Sequence, residues 1–355
     1  KIKGELNFHE NYLKLLINKE IKIVRDQIIS ENLRINKDEI IDNIITKVSA
    51  KVSSSLVNII NGTGIVLHTG FGRAPFNGDH FRDIADKLDG YINLEYDLSD
   101  NKRGDRQSHL NEHIASICDA DSSLVVNNNA AAVLLTINSL ADGSEVLCSR
   151  GQIVEIGGSF RISEIINKSG AILKEVGATN RTHINDYEKA ISDKTKLLIW
   201  VHTSNYIVKG YTKEVPLEKI VNLGKKHNIP VLADLGSGTF LPLDKFGIPT
   251  ELPISDFVRK GPDIILFSGD KMLGGPQSGI ILASRKIIDI IKSNSLYRTV
   301  RCDKITIVML DEIISSYRKH GFSNLNLTLS LLTRTRVDLE KMGKSIVNNI
   351  SSKKI

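Results

Sequence analysis

Between residues 61 and 300, short apolar runs alternate with stretches of helical length, and this alternation most constrains how the chain can fold. The runs lie at 124–126 (LVV), 145–148 (EVLC), 171–176 (AILKEV), 196–201 (KLLIWV), 230–233 (PVLA), 263–267 (DIILF) and 279–283 (GIILA). Continuous rather than alternating hydrophobicity marks strands buried on both faces. The segments 130–141, 158–168 and 215–227 are long enough for crossover helices. Strand–helix alternation with right-handed crossovers builds a largely parallel sheet covered on both sides. Seven such strands make an α/β layer sandwich and not an eight-stranded barrel.

The flanks read differently. Residues 1–60 are helical, with Leu13, Leu16, Ile17, Ile21 and Val24 at three- and four-residue spacing. A second helix runs from Asp38, as its N-cap, through Ile41, Ile44 and Ile45 to Val48. These residues form a small helical domain and 61–320 the main α/β domain. Residues 321–355 carry an amphipathic helix without a completed core, as the start of a further small domain. There is no internal repeat. No run of about 18 apolar residues marks a membrane span, and the N-terminal segment lacks the apolar core of a secretory signal. Cys118, Cys148 and Cys302 follow no motif spacing, which points to a reduced, cytoplasmic compartment.

Charge is unevenly distributed. The net charge is +6, yet residues 285–355 hold 14 Lys/Arg against 6 Asp/Glu. Such a segment suits an anionic partner such as nucleic acid, or it is a solvated helical surface.

The chemistry-bearing residues fall at strand ends. Asp234 ends the run at 230–233, and Lys271 follows the run at 263–267 in FSGDKMLGGPQSG. Ligands of open α/β sheets bind at the carboxyl ends of strands. A lysine and an acid there suit pyridoxal 5′-phosphate: the ε-amine forms a Schiff base and the carboxylate holds the pyridine nitrogen protonated. Ser268-Gly269 and Gly274-Gly275 let backbone approach a cofactor closely. A lone lysine in a strand-end turn would ordinarily be solvated; its matched acid and a phosphate cradle distinguish this one. That cradle is Asn127, Asn128, Asn129 and Ala130, between a strand and a helix opening near Ala130, where backbone amides and the helix dipole face an anion. Asp270 is a candidate for orienting an arginine or assisting proton transfer. A competing pattern, His109-x-x-Glu112-His113, fits the inverted zinc-peptidase motif, but so short a pattern arises by chance and no further acidic ligand motif accompanies it.

Longer motifs are more specific. NGTGIVLHTGFGRAP (61–75), NNNAAAVLL (127–135), SRGQIVEIGGSFRI (149–162), EVGATNRTHINDYEKAI (175–191), VHTSNYIVKGYT (201–212), DLGSG (234–238), FSGDKMLGGPQSG (267–279) and RTVRCDK (298–304) occur in this order. In order and spacing the chain resembles the bacterial selenocysteine synthases, the L-seryl-tRNA(Sec) selenium transferases, over roughly residues 60–320. The resemblance implies an aspartate-aminotransferase-type fold with pyridoxal phosphate on Lys271. Asp234, Asn127, Asn128, Asn129, Ala130 and Ser268 would form the cofactor site. It implies Arg73, Arg298 and Arg301 as the binders of the selenium donor's phosphate group, a task suited to guanidinium forks. The implied reaction dehydrates seryl-tRNA(Sec) to an aminoacrylate and adds selenium from selenophosphate. The implied assembly is a homo-oligomer, a ring of dimers with sites between subunits. Gly70-Phe71 departs from the family's usual Asn-Leu, and the chain stops where the family's small C-terminal domain begins. Two other readings stay open: a lysine-dependent lyase or transferase acting on a small phosphorylated amino acid without tRNA, and a non-catalytic RNA-binding or assembly subunit that retains the fold.

Overall fold

The computed structural model describes residues 9–32, 36–156, 160–203, 206–248, 252–319 and 326–352. The expected domain junction at 320/321, parts of the 1–60 segment and the motif residues at 157–159 and 204–205 lie outside these. The chain divides into two compact units, Lys1–Gly64 and Ile65–Ile355.

In the first unit, helices α1 (Glu10–Glu31) and α2 (Lys37–Val52) bury Leu13 and Val24 against Ile44 and Val48. The cap of α2 is Asn36, whose side chain accepts the Asp38 N–H, so the expected Asp38 cap lies inside the first turn. Two expected inward positions, Ile21 and Ile41, are exposed within the unit. The buried stripe passes through Glu20, one residue away from Ile21, because that carboxylate pairs with Lys51 of α2.

The second unit contains all seven expected strands. They are β1 (Ser122–Val126), β2 (Glu145–Ser149), β3 (Ile172–Val176), β4 (Thr195–Val201), β5 (Val231–Gly236), β6 (Ile264–Ser268) and β7 (Gly279–Ala283). They form one sheet in the order β1-β7-β6-β5-β4-β2-β3. Successive residues feed opposite layers: Val125, Leu198 and Ile265 face one core, and Leu124, Ile199 and Leu266 the other. That double burial is why the strands read as unbroken apolar runs. Helix α4 (Asn129–Ala141) contributes Ala132, Val133 and Leu135 to one layer, and α5 (Leu217–His227) contributes Ile220 and Val221 to the other. Helix α3 (Asn111–Cys118) precedes β1, and α6 (Lys304–Arg318), capped by Asp303, follows β7.

Only β7 runs against the rest. Residues 269–278 are too few for a parallel crossover, which takes about a dozen or more. Consequently β1 to β6 all run one way, and their carboxyl ends share one edge. The helix expected from 158 starts instead at Ile162, after a small antiparallel pairing of Glu155–Ile156 with Phe160–Arg161. Among the described residues no helix is long and apolar enough to cross a membrane. Helix α7 (Arg336–Ser352), in the expected amphipathic segment, leaves Leu339, Ile346 and Ile350 exposed.

Candidate active site

Lys271 owes its position to a tightly folded turn after β6. The Gly269 amide donates to the Ser278 carbonyl (2.9 Å), Gly275 to Gly269 (2.8 Å) and Gly274 to the Lys271 carbonyl (2.9 Å). A methyl at Gly269 would overlap the Ser278 hydroxyl, and Gly274, at φ 74°, packs directly on the Asn326 amide. Asn326 in turn donates to the Leu273 carbonyl at 2.9 Å. These bonds fix the backbone that carries Lys271. Burial, then the charge of Arg73, lower its pKa, against the opposing pull of Asp234 and Asp270.

Asp234, at the end of β5, is 4% exposed. Its Oδ1 accepts from Asn129 Nδ2 (2.9 Å) and from the Gly236 amide (3.0 Å). Burial nevertheless pushes its pKa up, ahead of the lowering by those two bonds and by Lys271. The buried carboxylate therefore lacks a full counter-charge.

The three asparagines do separate things. The Asn127 amide donates to the Val300 carbonyl (2.9 Å), tying β1 to the 298–304 segment. Asn128 caps α4 by accepting the Ala131 N–H at 2.8 Å. Asn129 orients Asp234, and its Oδ1 is buried without a partner among the described residues. The amides of Asn129 and Ala130, first in α4, have no acceptor among the described residues. Gly279 lets this opening lie against β7, since any side chain there would overlap the Asn128 carbonyl.

These residues enclose a cavity of about 310 Å³ lined by Arg73, Asn128, Asn129, Ala130, Asp234, Ser268, Asp270 and Lys271. Gly236 and Gln277 also line it. Sequence reasoning had not singled these out, although both sit inside quoted motifs. Arg73 Nη1 meets Asp270 Oδ2 at 2.9 Å, so this arginine and the carboxyl beside the lysine act as a pair. Arg73 adopts φ 64°, a costly conformation for a residue with a side chain and one that clusters at functional sites. Beside it, at the atypical Gly70-Phe71 position, Phe71 stacks on His68 with ring centroids 4.2 Å apart.

Arg298 and Arg301 do not line this cavity. Arg298 is exposed. Arg301 pairs with Val126 through its backbone, and its Nη1 reaches Glu95 Oε1 at 3.3 Å. The same carboxylate takes Arg106 (2.5 Å) and Arg103 (2.9 Å), and the three guanidiniums hold its pKa down, Arg106 first. Three cations on one anion leave a net positive cluster, and Arg301 Nε is buried without a partner among the described residues. No sequence signal linked Glu95 to Arg301, because a contact across 206 residues is invisible to spacing, whereas Arg103 and Arg106 lie only 8 and 11 residues from Glu95.

The zinc-like pattern comes apart. His109 closes a 3₁₀ turn ahead of α3, with Nε2 at 3.2 Å from the Leu94 carbonyl, whereas His113 Nδ1 meets Arg318 at 3.1 Å. Among the described residues no group of three or more His, Cys, Asp or Glu is placed to hold a metal.

A family model, SelA, L-seryl-tRNA selenium transferase, matches residues 59–354. A protein of Caldanaerobacter subterraneus subsp. tengcongensis named L-seryl-tRNA(Sec) selenium transferase is 43% identical over 335 residues, covering 94% of this chain and 73% of the relative. Proteins of the same name from Geobacter metallireducens (45%; 86% of this chain, 66% of the relative) and Nitratidesulfovibrio vulgaris (48%; 79% and 60%) are also similar. The chain thus spans 60–73% of these relatives' lengths. Among solved structures, D-glucosaminate-6-phosphate ammonia-lyase shares the fold at TM-score 0.57 and 19% identity, over 70% of this chain and 65% of that one.

Proposed function

The chain belongs to the L-seryl-tRNA selenium transferase family, and from that membership and the geometry around Lys271 we propose that it converts seryl-tRNA(Sec) to selenocysteinyl-tRNA(Sec), with selenophosphate as the selenium donor. The observation that carries the reading is a half-buried lysine of lowered pKa in one cavity with a buried acid of raised pKa. The expected aspartate-aminotransferase-type architecture agrees with it.

Pyridoxal phosphate fits this cavity. Lys271 would hold it covalently, Asp234 would face its ring nitrogen and gain the counter-charge it lacks, and the Asn129 and Ala130 amides would take its phosphate. When bound, the group supplies a sink for the electrons left when serine Cα loses its proton. The rest falls to the protein. Lys271 Nζ, partly shielded from water and of lowered pKa, would act as the base for that Cα proton. Asp270 keeps Arg73 turned toward the cavity. Arg73, with Arg298 and Arg301, supplies forks for a tetrahedral oxyanion.

Because Arg298 and Arg301 stand outside their own protomer's cavity, the proposal includes a homo-oligomer, a ring of dimers, in which they serve a neighbouring site. Sedimentation of the holoenzyme as a monomer would remove that element. All three cysteines are free and buried, which supports a reducing, cytoplasmic setting.

The direct test supplies purified holoenzyme with seryl-tRNA(Sec) and selenophosphate. Absence of selenocysteinyl-tRNA would overturn the proposal. Turnover of a small phosphorylated amino acid instead would favour the tRNA-independent lyase. Arg298→Ala with Arg301→Ala is expected to weaken selenophosphate use about ten- to a hundredfold while seryl-tRNA binding holds, since a lost charge-assisted pair costs roughly 1.5–3 kcal/mol. Equal loss in both would assign the arginines to the fold or the tRNA.

Residues 1–60 are proposed as the tRNA-docking domain, 61–320 as the catalytic domain and 321–355 as the start of a further one. With 10 Lys/Arg against 8 Asp/Glu in residues 1–60, recognition there rests on shape, and the basic 285–355 segment supplies non-specific attraction. Deleting residues 1–55 is expected to leave cofactor binding intact and abolish specific tRNA(Sec) binding at matched ionic strength. Undiminished specific binding would move the docking site elsewhere.

A further inference from the structure

The shared carboxyl edge of the sheet carries two cavities. The ends of β1, β5 and β6 make the Lys271 cavity, and those of β2, β3 and β4 make a second one of about 230 Å³. Its lining includes Ser149, Thr179, Asn180, Thr203, Thr212 and Lys213. We infer that this second cavity holds the terminal nucleoside, an adenosine, at the 3′ end of the aminoacyl-tRNA. The inference rests on reading the chain as a seryl-tRNA enzyme.

Position is the first argument. The serine is esterified to the ribose of the last nucleotide, so an amino group delivered to Lys271 brings that nucleoside to the same edge, within one nucleoside's reach. The second cavity begins one strand from Asp234: the His202 amide, next to Thr203, donates to the Asp234 carbonyl at 2.8 Å. The alternative flank, at the end of β1, is the cationic cluster on Glu95, where Arg301 pairs with Val126. That cluster suits an oxyanion, whereas the esterified terminal nucleoside is itself uncharged.

The cavity is built. The Thr182 amide donates to the Lys213 carbonyl and the Lys213 amide to the Asn180 carbonyl, both at 2.9 Å, which zips the loop after β3 to the loop after β4. Asn180 Nδ2 donates to the Tyr211 carbonyl at 2.8 Å. Ser149 and Thr182 hydroxyls meet at 2.8 Å. Gln152 donates to Glu214 at 2.7 Å and accepts from the Val201 amide at 3.2 Å. A methyl at Gly151 would come within 2.6 Å of the Thr179 carbonyl, so the floor admits nothing larger than glycine.

Chemistry is the third argument. The lining offers the Thr179, Thr203 and Thr212 hydroxyls and the Asn180 side-chain oxygen Oδ1, with Ile207 and Val208 as an exposed apolar wall. One ammonium, Lys213, stands beside one carboxylate, Glu214, so the net charge suits neither a free oxyanion nor a cation. Neutral hydrogen-bonding groups around an apolar wall match a flat base and ribose hydroxyls.

Seryl-tRNA(Sec) carrying 2-azidoadenosine at its 3′ terminus, irradiated on the holoenzyme, is expected to label peptides within 179–182 or 206–214. Label in 298–304, or in neither region, would overturn the inference. Thr203→Val with Thr212→Val is expected to raise KM for seryl-tRNA about tenfold, and Thr203→Phe about a hundredfold, with kcat and cofactor absorbance unchanged. Wild-type KM in both variants would likewise overturn it. If unmodified holoenzyme neither binds nor converts seryl-tRNA, the proposed function fails first. If it does both while label and KM go against the cavity, this inference alone fails.

Discussion

Lys271→Ala is expected to yield a folded protein that no longer retains pyridoxal phosphate through gel filtration and whose turnover falls by roughly four orders of magnitude or more. One side chain is proposed for both covalent attachment and proton transfer, and among the described residues no other lysine lines the cavity. Alanine leaves the turn intact, because the bonds that fold it run through the backbone of Gly269, Gly274 and Gly275. Retained absorbance with full activity would refute the assignment. A pH measurement sharpens it. Burial and then Arg73 disfavour the charged amine, so the neutral, nucleophilic form is populated at lower pH than for an ordinary lysine. Capture of pyridoxal phosphate by the cofactor-free protein is expected to rise with pH and level off below the ordinary lysine range. Arg73→Gln removes a neighbouring positive charge, so the same rise is expected at higher pH. A profile unmoved by that change would show that Arg73 does not act on the lysine.

Asp234→Asn is expected to separate stability from function. Asparagine can keep both accepted bonds, since Asn129 Nδ2 and the Gly236 amide both donate to Oδ1. It removes a buried charge whose pKa is raised by burial. A raised carboxyl pKa means that the ionised form is disfavoured in the fold, so this group costs stability as pH rises above the unfolded carboxyl range. The cofactor-free variant is therefore expected to melt at or above the parent temperature at neutral pH, by calorimetry. Turnover is expected to fall roughly a hundred- to a thousandfold, because a neutral amide cannot hold a ring nitrogen protonated. Loss of thermal stability with unchanged turnover would make Asp234 a structural residue.

Much of this was legible in one dimension. Strands buried on both faces have nowhere to place polar side chains, so the sheet announces itself as unbroken apolar runs, and Lys271 and Asp234 follow because they sit at the ends of two of them. The asparagine cradle was legible as a place, since a strand-to-helix turn rich in capping residues leaves amides facing outward. Its division of labour was not: the Asn129 contact with Asp234 spans 105 residues. The helical stripe through Glu20 was misjudged because a buried carboxylate is tolerable only when a partner, here Lys51, meets it from another helix.

What the sequence by itself determined is the class of fold, the strand ends that bear the lysine and the acid, and the family. Tertiary structure alone decided that β7 turns back, that Arg73 pairs with Asp270, that Arg301 shares Glu95 with two other arginines, and that β2, β3 and β4 open a second cavity. The physical reason is one of range. Hydrophobic period and turn chemistry are written in neighbours a few residues apart, whereas ion pairs, shared carboxylates and cavities arise between side chains that only the folded chain brings within hydrogen-bonding distance.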